Sequence, residues 1–176
     1  GMLVTVGTTE FAVDPEDPWV EVEPAFAGCL VVPSMLALDV SRIEAGLLLI
    51  DVDFQSCRKA LIDDQMYSPL EMGLDRLVSI DKARYVGQEA LREEKRRGPA
   101  RRIVGLEIDW PSVEALYERA GLPPSVSPAA SRVAVPVYGS DGQIGKATST
   151  TWSPTLKKLI AIATVPDEHA AVGAPR

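Results

Sequence analysis

Apolar positions along this chain fall into two textures, helical spacing and single runs before Pro99 and short β-like runs after it. From Ser34, a good N-cap residue, Leu36, Val40, Ile43 and Leu47 form an apolar stripe at helical spacing that ends around Gly46. This predicts an amphipathic helix. The following run, Leu47-Leu48-Leu49-Ile50-Asp51-Val52-Asp53-Phe54, is apolar with alternation at its end, which predicts a strand entering a core. Ser68-Pro69-Leu70-Glu71 has capping-box spacing with proline at the first helical position, so a short helix is expected to open there and to end or pack closely at Gly73. Leu77–Ile80 reads as a further strand, and Val86 through Arg97 as a charged helix stopped by Gly98-Pro99.

Beyond Pro99 the runs Ile103–Ile108, Val133–Tyr138, Ile144–Thr150 and Leu159–Val165 are separated by Gly, Pro, Ser and Asp, the signature of a β-rich module. Gly139-Ser140-Asp141-Gly142 lies between two of them and reads as a hairpin turn rather than a phosphate-cradling loop, because no helix-forming segment follows closely. Ser112–Ala120, closed by Gly121-Leu122-Pro123-Pro124, predicts a short helix inserted between the first two of these strands.

Composition adds a boundary at the other end. The 176 residues, 46% hydrophobic and 24% charged, have the make-up of an ordinary soluble globular protein of one domain or two small ones. The net charge is −7, which argues against non-specific nucleic-acid binding. Residues 1–41 contain no Lys or Arg and hold Glu10, Asp14, Glu16, Asp17, Glu21, Glu23 and Asp39, so this acidic stretch accounts for the whole imbalance. Asp14-Pro15-Glu16-Asp17-Pro18 is a loop on turn chemistry, and residues 1–35 are expected to be a weakly packed lead-in. No apolar run approaches the roughly 18 residues a membrane span needs, and no basic-then-apolar leader opens the chain. A cytoplasmic location without membrane contact is expected. Cys29 and Cys57 have neither metal-clip spacing nor the numbers for a disulfide framework, and read as reduced structural thiols.

Few residues offer chemistry. His169 is the only histidine and lies beside Glu168 near the end, which excludes a His-based triad or a His-rich metal site. Arg92, Lys95, Arg96, Arg97, Arg101 and Arg102 could hold a poly-anionic tail, although a solvated helix face is the commoner explanation for such a cluster. Arg42, the first cation in the chain, sits one turn before its helix ends. It suits either a bidentate carboxylate contact or an intrahelical pair with Asp39, and spacing leaves the two readings equal. Trp152 falls in Thr148–Pro154, read as a polar loop following a strand, where it either caps a ligand or closes the end of a barrel, the second being the commoner use of a large aromatic. Trp19 and Trp110 are assigned to packing.

Several strings taken together resemble one family. Ala37-Leu38-Asp39-Val40-Ser41-Arg42-Ile43-Glu44-Ala45-Gly46 resembles the Arg-x-Glu-Ala-Gly helix of aminomethyltransferases (glycine cleavage T-proteins) and related folate-dependent demethylases. Ser68-Pro69-Leu70-Glu71-Met72-Gly73-Leu74 is similar to their Thr-Pro-Leu-Glu-x-Gly-Leu segment. Asp81-Lys82, followed by Val86-Gly87-Gln88-Glu89-Ala90-Leu91, is similar to their Asp-Lys and Ile-Gly-Lys-Glu-Ala-Leu strings. Ile144-Gly145 through Thr148-Ser149, then Trp152-Ser153-Pro154-Thr155-Leu156 and Ile160-Ala161-Ile162-Ala163, resembles their Gly-x-x-Thr-Ser-x-x-x-Ser-Pro-x-Leu and Ile-Ala pattern. The match runs in order from about Leu36 to Gly173, and four ordered motifs are far more specific than any one.

The resemblance implies an α+β chain. Residues 36–98 would be the carboxy-terminal part of an α/β folate-binding domain and residues 99–176 a small antiparallel β-barrel, with residues 1–35 the acidic lead-in. It implies tetrahydrofolate as acceptor of a one-carbon unit from a small donor, with Arg42 as folate ligand and Glu71 and Trp152 as lesser residues lining the site. Three departures matter. Ile50 stands where glycine-cleavage members usually place a folate-contacting tyrosine, which favours the demethylase-like branch. Nothing before Leu36 resembles the domain that holds the family's catalytic aspartate, so no catalytic residue is assigned and the isolated chain is expected to be inactive. Relatives also continue past the final Gly173-Ala174-Pro175-Arg176, so both ends read as truncated, and a homodimer or a separate chain supplying the missing domain is expected. The rival reading is a non-catalytic folate-binding or assembly module.

Overall fold

A computed structural model of the chain describes residues 2–6, 9–13 and 35–171, which fall into two units divided after Ser34. In the first unit, strands β1 (Met2–Val6) and β2 (Thr9–Val13) pair antiparallel, from Met2 opposite Val13 to Val6 opposite Thr9. The reading of residues 1–35 as a weakly packed acidic lead-in assigns no strands to this segment. The proline-rich loop at 14–18 and the N-cap at Ser34 lie outside the described residues.

The second unit opens with helix α1 (Met35–Glu44), and its predicted end at Gly46 is observed in detail. Gly46 takes φ 68°, its N–H bonds to the Ile43 carbonyl at 3.1 Å, and the Leu47 N–H reaches back to the Arg42 carbonyl at 2.7 Å. That is a Schellman stop, which a side chain at position 46 would strain.

The predicted strand at Leu47–Phe54 does not form. The chain instead wraps around the Asp53 carboxylate, whose Oδ2 accepts the Leu49 N–H at 2.8 Å, while the Asp53 N–H returns to the Leu49 carbonyl at 2.8 Å. The backbone groups a strand would offer a neighbour are thus used within the loop. Leu77–Ile80 is likewise no strand: a 3-10 turn spans Asp75–Leu77, and the Ile80 carbonyl accepts the Gln88 side chain at 2.6 Å. At Ser68 the capping-box bonds exist without the helix. The Ser68 N–H donates to Glu71 Oε2 and the Glu71 N–H to Ser68 Oγ, each at 3.1 Å, around a single turn that Gly73 closes at φ 69°. Helix α2 (Gln88–Arg97) starts two residues later than predicted, after Gly87 at φ 87°, and stops at Gly98 as predicted.

The β-rich module forms as expected. Strands β3 (Arg101–Ile108), β4 (Val135–Gly139), β5 (Gly142–Ser153) and β6 (Lys158–Pro166) build one antiparallel sheet in the order β3-β6-β5-β4, with the Gly139/Gly142 hairpin joining β4 to β5. Among the described residues the sheet is open, with β3 and β4 at its edges. Helix α3 (Trp110–Arg119) follows β3 and starts before Ser112, because Asp109 is the N-cap, accepting the Ser112 N–H at 3.1 Å.

The sheet has two distinct faces. On one, Ala147, Ala161 and Ala163 pack with Val104, Leu106, Ile108 and Val137. The other meets α1, which contacts β5 and β6. A bulge in β5 between Ala147 and Ser149 decides which residues face α1. Ala147 pairs with Ala163 and Thr150 with Ala161, so both lie on the alanine face. Thr148 and Ser149, adjacent in sequence, both turn toward α1, an arrangement that a regular strand with its period of two forbids.

Candidate functional site

Arg42 lies in the last turn of α1 and is 7% exposed, with each nitrogen of its guanidinium donating to a protein group. Nε bonds Asp39 Oδ1 at 3.0 Å, Nη1 bonds Asp53 Oδ2 at 2.6 Å and Nη2 bonds Ser149 Oγ at 2.7 Å. The intrahelical pair with Asp39 is present, and the guanidinium also makes a single-point contact with the chain's own Asp53 carboxylate.

Asp53, 1% exposed, is the centre of this cluster. Its Oδ2 accepts from Arg42 and from the Leu49 N–H, while Oδ1 accepts from Thr148 Oγ1 at 2.7 Å and Ser149 Oγ at 2.6 Å. Four donors saturate this buried carboxylate, as a polar group withdrawn from water requires. Asp39 completes the group by accepting Arg132 Nε at 2.8 Å with its second oxygen. Burial works against the charge on Asp39, but the hydrogen bonds and positive charge of Arg132 and Arg42 outweigh it and hold its carboxyl below the usual value. Two acids and two arginines therefore form a neutral set that ties α1 and the 47–54 loop to β5.

Two residues after Arg42, Glu44 binds the turn after β5. It accepts Ser153 Oγ, the Thr155 N–H at 3.2 Å and Thr155 Oγ1 at 3.1 Å. The Ser153 bond first, and the Thr155 bonds after it, hold the Glu44 carboxyl below its usual value.

Glu71 and Trp152 lie elsewhere. Glu71 is buried beneath Ser68, and Arg101 Nε stands 3.2 Å from its Oε1. Arg101 donates from Nη1 to the Asp64 carbonyl and from Nη2 to the Met66 carbonyl and lies over the Tyr67 ring, 4.0 Å from the centroid. Trp152 is a strand residue in β5 rather than part of a loop, and it meets Trp110 edge to face at 5.6 Å. In the sheet register Arg101 sits opposite Pro166 and Trp152 opposite Leu159, at the two ends of β6. At about 3.3 Å per residue the Arg101–Glu71 pair and Trp152 are roughly 20 Å apart along the strands, so the three candidate residues do not share one pocket.

The basic cluster is largely committed to local partners: Arg92 to Glu89, Arg96 to Glu93, Arg102 to Asp167, and Arg101 as described. Among the described residues no group of His, Cys, Asp and Glu could hold a metal ion, and no helix is long and apolar enough to cross a membrane. Sequence reasoning missed Asp53, Thr148, Ser149 and Arg132. An aspartate inside the apolar run at 47–54 was the available signal, since such a residue needs buried donors.

Comparison with known proteins agrees with this layout. Residues 101–175 match the family model of the glycine cleavage T-protein C-terminal barrel domain. Aminomethyltransferase from Thermosynechococcus vestitus is 32% identical over 168 residues, covering 90% of this chain and 39% of that protein. Aminomethyltransferase from Rippkaea orientalis is also 32% identical, over 94% of this chain and 38% of its own length. The crystal structure of glycine cleavage system aminomethyltransferase T from Bartonella henselae superposes with a TM-score of 0.55 at 24% identity, over 77% of this chain and 31% of the other. That likeness speaks to the fold, and the chain spans well under half the length of these relatives. By ordered motifs, domain match and fold, the chain belongs to the aminomethyltransferase (glycine cleavage T-protein) family and corresponds to its carboxy-terminal part.

Proposed function

We propose that this chain works as the carboxy-terminal part of a tetrahydrofolate-dependent one-carbon transferase, with Arg42 as its folate-facing residue and a small amine, ether or thioether as donor. The observation that supports this reading best is the clamped geometry of Arg42. Asp39, Asp53 and Ser149 fix the plane of the guanidinium while using one N–H on each nitrogen, which leaves one further N–H on each Nη for a ligand oxygen or a pterin edge. That remaining donor capacity fits folate. Tetrahydrofolate would supply the nitrogen that accepts the one-carbon unit, and the chain's part is to bind and orient it. The carboxylates of Asp39 and Asp53 are consumed by arginine contacts, so neither serves as the acid that stabilises charge at the reacting nitrogen. Glu71 and Trp152 enter as supports, the first bracing Arg101 and the second packing on Trp110.

In this reading the exposed apolar side chains Leu47, Ile50, Leu61, Ile62 and Leu77 mark where further protein docks, either a second copy or a chain bearing the amino-terminal domain, in the cytoplasm. Calorimetric titration of the chain with tetrahydrofolate tests the proposal. Arg42→Lys keeps the charge and loses the fork, and should weaken binding about tenfold. Equal affinity in a variant with unchanged circular dichroism would remove Arg42 from the site. No binding by the native chain would favour an assembly role.

A further inference from the structure

A cavity of about 540 Å³ lies between the 51–55 loop, the 64–67 segment and the facing ends of β5 and β6, a volume suited to a small-molecule ligand. Its titratable lining sorts into two sets. Asp53 is saturated by the Arg42 cluster, Asp51 is paired with Lys59 at 2.5 Å, and Arg101 is spent on two carbonyls and the Tyr67 ring. Asp64 and Lys146, by contrast, line the same cavity with, among the described residues, no ion pair or hydrogen bond to either side chain, and they are not joined to each other. The same cavity has an aromatic wall, Phe54 edge-on to Tyr67 at 6.5 Å, with the Tyr67 hydroxyl anchored 3.1 Å from Thr164 Oγ1.

Free charges of opposite sign around a fixed aromatic wall match a ligand that carries an ammonium, a carboxylate and an apolar body. We propose that this cavity binds a small zwitterion of the amino-acid class, its carboxylate toward Lys146, its ammonium toward Asp64 and its apolar part against Phe54 and Tyr67. A simple anion would use Lys146 while facing the uncompensated Asp64, and a simple cation the reverse, so the zwitterion is the class that satisfies both. The site is independent of the folate reading, since none of its free groups belongs to the Arg42 cluster.

Amide NMR titration of the full chain with three probes tests it: L-phenylalanine, 3-phenylpropanoate, which lacks the ammonium, and phenethylamine, which lacks the carboxylate. L-Phenylalanine should shift resonances around 64–67 and 143–146 saturably, and each half-probe should bind at least about fivefold more weakly. Asp64→Asn should weaken L-phenylalanine and phenethylamine but spare 3-phenylpropanoate, and Lys146→Gln should do the converse. Both side chains are exposed, so neither variant threatens the fold. Absence of saturable shifts at about 20 mM, equal binding of the three probes, or indifference to both substitutions would overturn the proposal.

Discussion

Removing Arg42 is the sharpest test of how the chain is held together. Arg42→Ala leaves Asp53 in place with its side chain wholly excluded from solvent. Three donors remain to it, the Leu49 N–H and the hydroxyls of Thr148 and Ser149, but no positive charge does. Breaking a buried ion pair from one side costs about 3–5 kcal/mol, and the surviving hydrogen bonds place this case near the lower figure. Domains of this size are stable by only about 5–15 kcal/mol, so the variant should remain folded but visibly weakened. With a urea m-value of about 2 kcal/mol/M, a loss of about 3 kcal/mol moves the midpoint down by about 1.5 M. Arg132→Ala provides the control: its partner Asp39 keeps Arg42, its own side chain is 39% exposed, and the loss should stay below about 1 kcal/mol. The double variant Arg42→Ala/Asp53→Ala removes both buried charges and should cost less than the two single changes summed, by about 1–3 kcal/mol. Equilibrium urea unfolding followed by circular dichroism gives all four values. A loss under about 1 kcal/mol for Arg42→Ala would refute the account of the cluster as a tie between helix and sheet.

Other consequences are more local. Gly145→Ala would place its Cβ 2.1 Å from the Thr164 carbonyl oxygen, a backbone atom that cannot step aside, so a loss above about 3 kcal/mol or no folded protein is expected by the same unfolding assay. Ser68→Ala removes one capping-box bond and the hydroxyl contact to Glu94 at 2.5 Å, and should cost about 1–2 kcal/mol in urea melts. Asp39 and Glu44 both titrate in the folded chain below their ordinary values of 3.8 and 4.5, so their stabilisation is complete above those values and drains away as the pH falls through the folded ones. Urea midpoints should be level near pH 6 and drop below about pH 4, and a midpoint that rises on acidification would contradict the assignment.

What the sequence discloses follows the range of the interactions. The four strands after Pro99 are legible because each alternates or runs apolar between turn residues, and Gly46 and Gly98 stop their helices through local backbone geometry. The runs at 47–54 and 77–80 mislead for a common reason. Both have strand composition, but side chains of Asp53 and Gln88 take up backbone groups that a ladder would need, and composition says nothing of that competition. The Ser68–Glu71 motif shows a subtler limit, its reciprocal bonds being correctly implied and its helix not, since one turn suffices to make them. The hairpin at 2–13 was hidden by the acidic character of its surroundings, although Met2–Val6 and Thr9–Val13 are both rich in β-formers around Gly7. The cluster itself escapes because Asp53 meets Thr148 and Ser149 across a separation of 95 and 96 residues, which no local pattern encodes.

The bulge in β5 bears on the order in which the molecule can be assembled. Thr148 and Ser149 can meet Asp53 together only after β5 has paired with β6 and the bulge has set its parity, so the loop at 47–54 has no complete set of partners until the sheet exists. Closing a loop of that length delays these bonds kinetically, even though each is short and strong once made. The amino-terminal helix and loop should therefore reach their final form late and depend on the sheet to do so. Deleting Thr148 would restore a regular ladder and remove a hydroxyl from Asp53, improving the strand and undoing the joint that ties α1 and the 47–54 loop to the sheet.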